Sequence, residues 1–173
     1  MPNALDQNLL EALLDSWDRN NAILVNLVRV LPQGALQVRA MDGSPSVAEM
    51  LTHMHYVRLI LVSEDAPEFA PNLGPNSGNE LPTEEWAAEH DPDRIAQMLN
   101  DSCKVVRHAA KSKLESGRAM NVHYDHPILF LQHLIWHEGY HHGQIKLALK
   151  LAGRLVDDAV AGPVTWHVWF DKH

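Results

Sequence analysis

Apolar residues recur at three- and four-residue steps from about Leu5 to Val30, where Leu9, Leu10, Leu13, Leu14, Trp17, Leu24 and Leu27 mark one side. That is the period of a helix buried along one face, and Pro32 and Gly34 end it. From Ala35 to Pro45 no long period survives, so the stretch reads as a crossover loop. Ser46-Val47-Ala48-Glu49 then matches a capping box, in which the serine oxygen accepts a backbone N–H and the glutamate reaches back to the cap. It opens a second helix running to about Asp65. The segment Ala66 to Pro82 carries Pro67, Pro71, Gly74, Pro75, Gly78 and Pro82 and reads as a long loop, either bordering a site or crossing the surface. Thr83 to Glu89 is expected as a short helix capped by Thr83 and carrying Trp86. Asp91-Pro92 supplies an N-cap and a first-turn proline for a third helix, which extends to about Glu115 and stops at Gly117. After a loop from Arg118 to His126, Pro127 starts a fourth helix that ends near Leu151, before Gly153. Four long helices without an alternating strand pattern predict an all-α fold. The expected architecture is a four-helix bundle with a crossover loop and a short C-terminal aromatic segment, Trp166-His167-Val168-Trp169-Phe170, docked on the bundle or on a partner subunit.

A length of 173 residues suits a single domain spanning residues 1–173, long enough to bury a real core. The formal net charge of −8 repels phosphate backbones and anionic lipid, and no Lys/Arg cluster reverses it locally, so neither nucleic acid nor membrane is expected as a partner. Cys103 is the only cysteine, which excludes an intrachain disulfide and a thiolate cluster within one chain. The first residues lack a basic stretch followed by an apolar run, and no stretch of about 20 apolar residues occurs. A soluble, cytoplasmic protein is the expectation.

The chemistry lies in the fourth helix, where His133, His137, His141 and His142 fall in one short stretch. At about 100° per residue, His133, His137 and His141 stand about 40° apart on one face, and successive Cβ atoms lie about 5–6 Å apart. His142 lies about 100° further round. Neutral imidazoles at i, i+4 suit one metal ion, and His137 with His141 needs only a third ligand from another element. His133 can be that third ligand, a donor behind the ligands, or a packing residue. On the second helix, His53 shares its side with Met50, Val57 and Ile60, whereas His55 stands about 160° away, so His53 is the better third ligand. Glu49, one turn earlier, either orients the second ring nitrogen of His53 or is occupied by the capping box. Cys103 reads as a core residue without catalytic function.

Ser46-Val47-Ala48-Glu49-Met50-Leu51-Thr52-His53 and His137-Glu138-Gly139-Tyr140-His141-His142-Gly143-Gln144-Ile145 together resemble the DinB-like (YfiT-type) four-helix-bundle proteins, grouped with bacterial thiol-dependent transferases. The resemblance covers most of the chain. It implies a homodimer of bundles with a divalent metal held by three histidines, which map onto His53, His137 and His141. Zinc or nickel is the first choice of ion, iron or manganese the next. The expected function is a metal-dependent thiol S-transferase or hydrolase acting on a small molecule, with a low-molecular-weight thiol as a possible second substrate. A non-catalytic metal- or small-ligand-binding stress protein uses the same residues. His137-Glu138-Gly139-Tyr140-His141 also spells the H-E-x-x-H of zinc peptidases, with Glu138 as candidate base, but no later glutamate completes such a site and Leu147 stands where an extended motif needs histidine.

Overall fold

The caps that punctuate the sequence close the helices where local hydrogen bonding requires. The computed structural model describes residues 4–73, 80–84 and 86–170. Its long helices are α1 (Ala4–Val30), α2 (Val47–Asp65), α3 (Pro92–Ser116) and α4 (Pro127–Leu151), followed by a short α5 (Asp158–Val164) and a 3-10 turn, Trp166–Trp169. Ser46 and Glu49 form the expected capping box, Asp91 accepts from the Asp93 N–H, and His126 accepts from the Ile128 N–H. Gly117 ends α3 at φ +65, a left-handed conformation that glycine adopts without strain. The fold is all-α. Among the described residues, no helix is long and apolar enough to cross a membrane.

The buried side chains fall into two apolar groups. One joins Leu24, Val28, Met50, Leu51, Met54, Ile95, Leu99, Ile145 and Leu149. The other joins Leu14, Trp17, Val62, Cys103, Val106, Phe130, Leu131 and Leu134. Between them lies a polar layer to which every long helix contributes: Asn21 from α1, Arg58 from α2, Ser102 from α3 and Glu138 from α4, all buried. Each occupies a core-facing position along its helix, so the charges meet inside the bundle. Arg58 Nε and NH2 donate to Glu138 Oε1 and Oε2 at 2.6 and 2.9 Å, and NH1 donates to Asn21 Oδ1 and the Leu99 carbonyl at 2.9 and 2.7 Å. The Trp17 ring lies 4.8 Å from the guanidinium carbon. An ion pair removed from water persists where its remaining donors and acceptors are met, as they are here.

Two segments differ from expectation. No helix forms across Thr83–Glu89 in the described residues: 83 and 84 are bends, and the single closing bond is Ala87 N–H to the Glu84 carbonyl at 3.3 Å, with Glu85 outside the described residues. A stretch this short does not recover the cost of nucleating a helix, and Trp86 packs elsewhere instead. In the Ala66 to Pro82 loop, Pro67–Phe69 forms a 3-10 turn, and residues 74–79 lie outside the described residues. The C-terminal aromatic segment does dock on the bundle, but through its main chain. Arg19 donates to the Val168 carbonyl and Asn26 to the Val164 carbonyl, while the rings of Trp166, Trp169 and Phe170 remain exposed.

Candidate metal centre

Helix phase and bundle geometry converge on one cluster. His53 of α2 and His137 and His141 of α4 each offer a ring nitrogen, and the three atoms lie within 4.8 Å of one another. The ring centroids stand 5.4 Å apart for His53 and His137, 5.2 Å for His53 and His141, and 4.6 Å for His137 and His141. The i, i+4 pair brings Nε2 of His137 and Nε2 of His141 to 3.1 Å. With bonds of about 2.0–2.1 Å, two imidazole nitrogens on one tetrahedral ion are separated by about 3.3 Å, so the pair already has nearly the required spacing.

The protons are ordered by the next layer of residues. The Gln144 amide donates to the Tyr140 hydroxyl at 3.0 Å, which turns its oxygen toward His141. His141 Nδ1–H donates to that oxygen at 2.8 Å, leaving Nε2 as a bare lone pair aimed at His137. Burial first, then the adjacent His141, His53, His133 and Arg58, pushes His137 down to about 4. Burial lowers His141 as well, against the opposing pull of Gln144 and Glu138. Both rings are therefore neutral near pH 7, the protonation state a metal ligand requires. His137 Nδ1 is also a buried nitrogen without a hydrogen-bond partner among the described residues. Neutral imidazoles with converging nitrogens fit a divalent ion, and the three-histidine group can bind one.

The other sequence candidates go elsewhere. His133 is exposed, and its Nδ1 meets the Tyr124 hydroxyl at 2.6 Å. His55 is buried on the far side of α2, where Nδ1–H donates to the Met98 carbonyl at 2.7 Å. Glu49 does not reach His53: one oxygen accepts the Ser46 N–H at 2.5 Å and the other accepts from Arg39 at 2.8 Å. Glu138, expected as a candidate base, is instead the carboxylate of the buried ion pair. Its oxygens accept from Arg58 and Asn20, and its side chain is 0 % exposed. Both of its oxygens are thus engaged by donors inside the bundle. Cys103 is buried, and burial pushes its thiol up to about 12, which leaves no thiolate near neutral pH.

Sequence reasoning missed Trp86. Its indole stacks on His53 at 4.4 Å between centroids and 27° between planes, and it also faces His141 edge-on at 6.1 Å. The only hint in the sequence was a tryptophan in a proline-rich connection, where a large ring must find a neighbour.

No curated protein and no solved structure matches the chain. The family model of the DinB family matches residues 1–160, a span that includes all four long helices and the three converging histidines. The chain belongs to the DinB family.

Proposed function

We propose that this protein is a divalent-metal-dependent enzyme acting on a small molecule, with thiol S-transfer favoured over hydrolysis. The observation that carries the reading is the convergence of His53, His137 and His141 on one point, the histidine group that the described residues offer a metal ion. A divalent ion held there supplies positive charge that favours the deprotonated form of a thiol or water at its open positions. The protein's own side chains set the conditions. Gln144 fixes the proton of His141 away from the site, and Trp86 covers one face of His53. Hydrolysis benefits from a base near the attacking water, and Arg58 withdraws Glu138 from that task. A thiol, with an ordinary pKa of about 8.5, depends less on such a base than water does. The same commitment of Glu138 argues against a peptidase of the H-E-x-x-H kind.

The test begins with metal content. Native protein and His53→Ala, His137→Ala and His141→Ala variants are compared by elemental analysis. One zinc or nickel ion per chain, lost in the variants, is expected. A reconstituted wild type without metal, or variants that keep it, overturns the reading. Turnover is then screened with bacillithiol, mycothiol and glutathione against small electrophiles. Stoichiometric metal without turnover for any thiol assigns a binding role instead.

The outer side of α4 supports a homodimer as part of the same proposal. Leu129, Trp136, Tyr140, Leu147 and Leu151 are exposed and fall within about 60° of helix phase, an apolar stripe of the kind that packs against a second helix. Sedimentation should give a dimer for wild type and a monomer for Trp136→Glu. A monomeric wild type removes this part of the reading.

A further inference from the structure

On the flank of α4 turned away from His137 and His141, a groove of about 320 Å³ runs between α1, α4 and the C-terminal turn. Gly139, His142, Gly143 and Lys146 form its α4 wall, at helix phases about 100–200° from His141. Ile23 and Leu24 of α1 and the indoles of Trp166 and Trp169 face them. The volume falls at the small end of the range of about 300–1,000 Å³ occupied by small-molecule clefts.

Three features define what the groove would hold. A Cβ placed on Gly139 or Gly143 would meet nothing within 4 Å, so the helix wall is open to a flat ring. Trp166 and Trp169 are 66 % and 44 % exposed although Arg19 ties down the turn that carries them and Asn26 the end of α5 before it. Exposed indoles on a fixed backbone offer a stacking surface. The third feature is charge. Glu138 reaches the groove, but its oxygens are committed to Arg58 and Asn20, whereas Lys146 has no ion-pair partner among the described residues. Beside it, Nε2 of His142 is buried without a hydrogen-bond partner among the described residues. An unpaired ammonium next to aromatic walls is complementary to an anion carried on an aromatic body.

We propose that this groove binds a small aromatic carboxylate, its ring against Trp166, Trp169 and the glycine wall of α4 and its acid group at Lys146. The proposal uses none of the three converging histidines and stands apart from the metal reading.

The probe is 2-naphthoate, titrated into metal-replete protein by calorimetry, with 2-naphthol as its neutral counterpart. Saturable one-to-one binding of 2-naphthoate is expected, with Lys146→Met and the change to 2-naphthol each weakening it about tenfold or more. Gly143→Val should abolish it by filling the groove, and valine is a better helix former than glycine, so the variant keeps its fold. Because a carboxylate can also bind a metal ion, the titration is repeated on chelator-stripped His137→Ala protein, where binding should persist. No saturable binding, equal binding by Lys146→Met, or loss of binding with the metal overturns the proposal. Failure of the metal reading shows only in metal content and leaves this titration unchanged.

Discussion

Replacing Arg58 with methionine should be among the most damaging single changes in this protein, and its size can be worked from the buried layer. The guanidinium is 0 % exposed and donates to both oxygens of Glu138, to Asn21, to the Leu99 carbonyl and, at 3.3 Å, to Ser102 Oγ. Methionine fills most of the same space, so little packing is lost. What remains is a carboxylate sealed from water with Asn20 as its one other donor among the described residues. Breaking a buried pair from one side costs about 3–5 kcal/mol, and the amide oxygen of Asn21, left without its donor, adds about 1 kcal/mol. The expected loss is therefore about 4–6 kcal/mol, a large part of the whole stability of an ordinary domain. At about 2–4 °C per kcal/mol for a chain of this size, Tm should fall by roughly 8–24 °C. Urea unfolding followed by tryptophan fluorescence and far-ultraviolet circular dichroism measures it. Arg58→Met combined with Glu138→Leu should recover most of the loss, because the uncompensated charge leaves with the second change. Glu138→Gln should destabilise the fold while leaving turnover per metal-loaded chain unchanged. A loss below about 1 kcal/mol for Arg58→Met, or a double variant no more stable than the single, would refute the structural assignment of this pair.

Three further outcomes are expected. Gln144→Leu removes the acceptor that orients His141 and should weaken metal affinity about 10–100-fold in a chelator competition, with helicity retained; unchanged affinity would show that Gln144 does not position the ring. Burial chiefly, against the Met98 carbonyl, holds His55 down at about 4. In an unfolded chain it titrates near 6.5, so between these values the unfolded state binds a proton that the folded state refuses. This contribution is full above about pH 6.5 and falls by about 3 kcal/mol as pH drops to about 4. His55→Leu should flatten the stability profile in that window, and an unchanged slope counts against it. Ser46→Ala should cost about 1 kcal/mol through loss of the cap on α2, read from the shift in the urea midpoint; no shift would mean that the box adds nothing in this context.

The limits of the long helices were legible in the chain because caps act within a few residues: Ser46 with Glu49, Asp91 with Pro92, and Gly117 after α3 are all local chemistry. The same holds for half of the candidate metal centre. The spacing of His137 and His141 is a property of one helical turn, and helical phase alone placed His53 rather than His55 on the side toward them. Everything that depended on which helix became whose neighbour stayed hidden. Glu138 carries a motif position that reads as a base, yet Arg58, 80 residues away in the chain, claims both its oxygens. Trp86 acquires its place over His53 only when the connection folds back on α2, and Glu49 is taken by Arg39 from the crossover loop. The indoles beside His142 meet α4 because one main-chain carbonyl at the end of α5 and another in the turn after it are tied to α1. Periodicity and capping are fixed by interactions within a turn, whereas the fate of a buried charge is set by the partner that tertiary packing brings to it, and no local pattern encodes that partner.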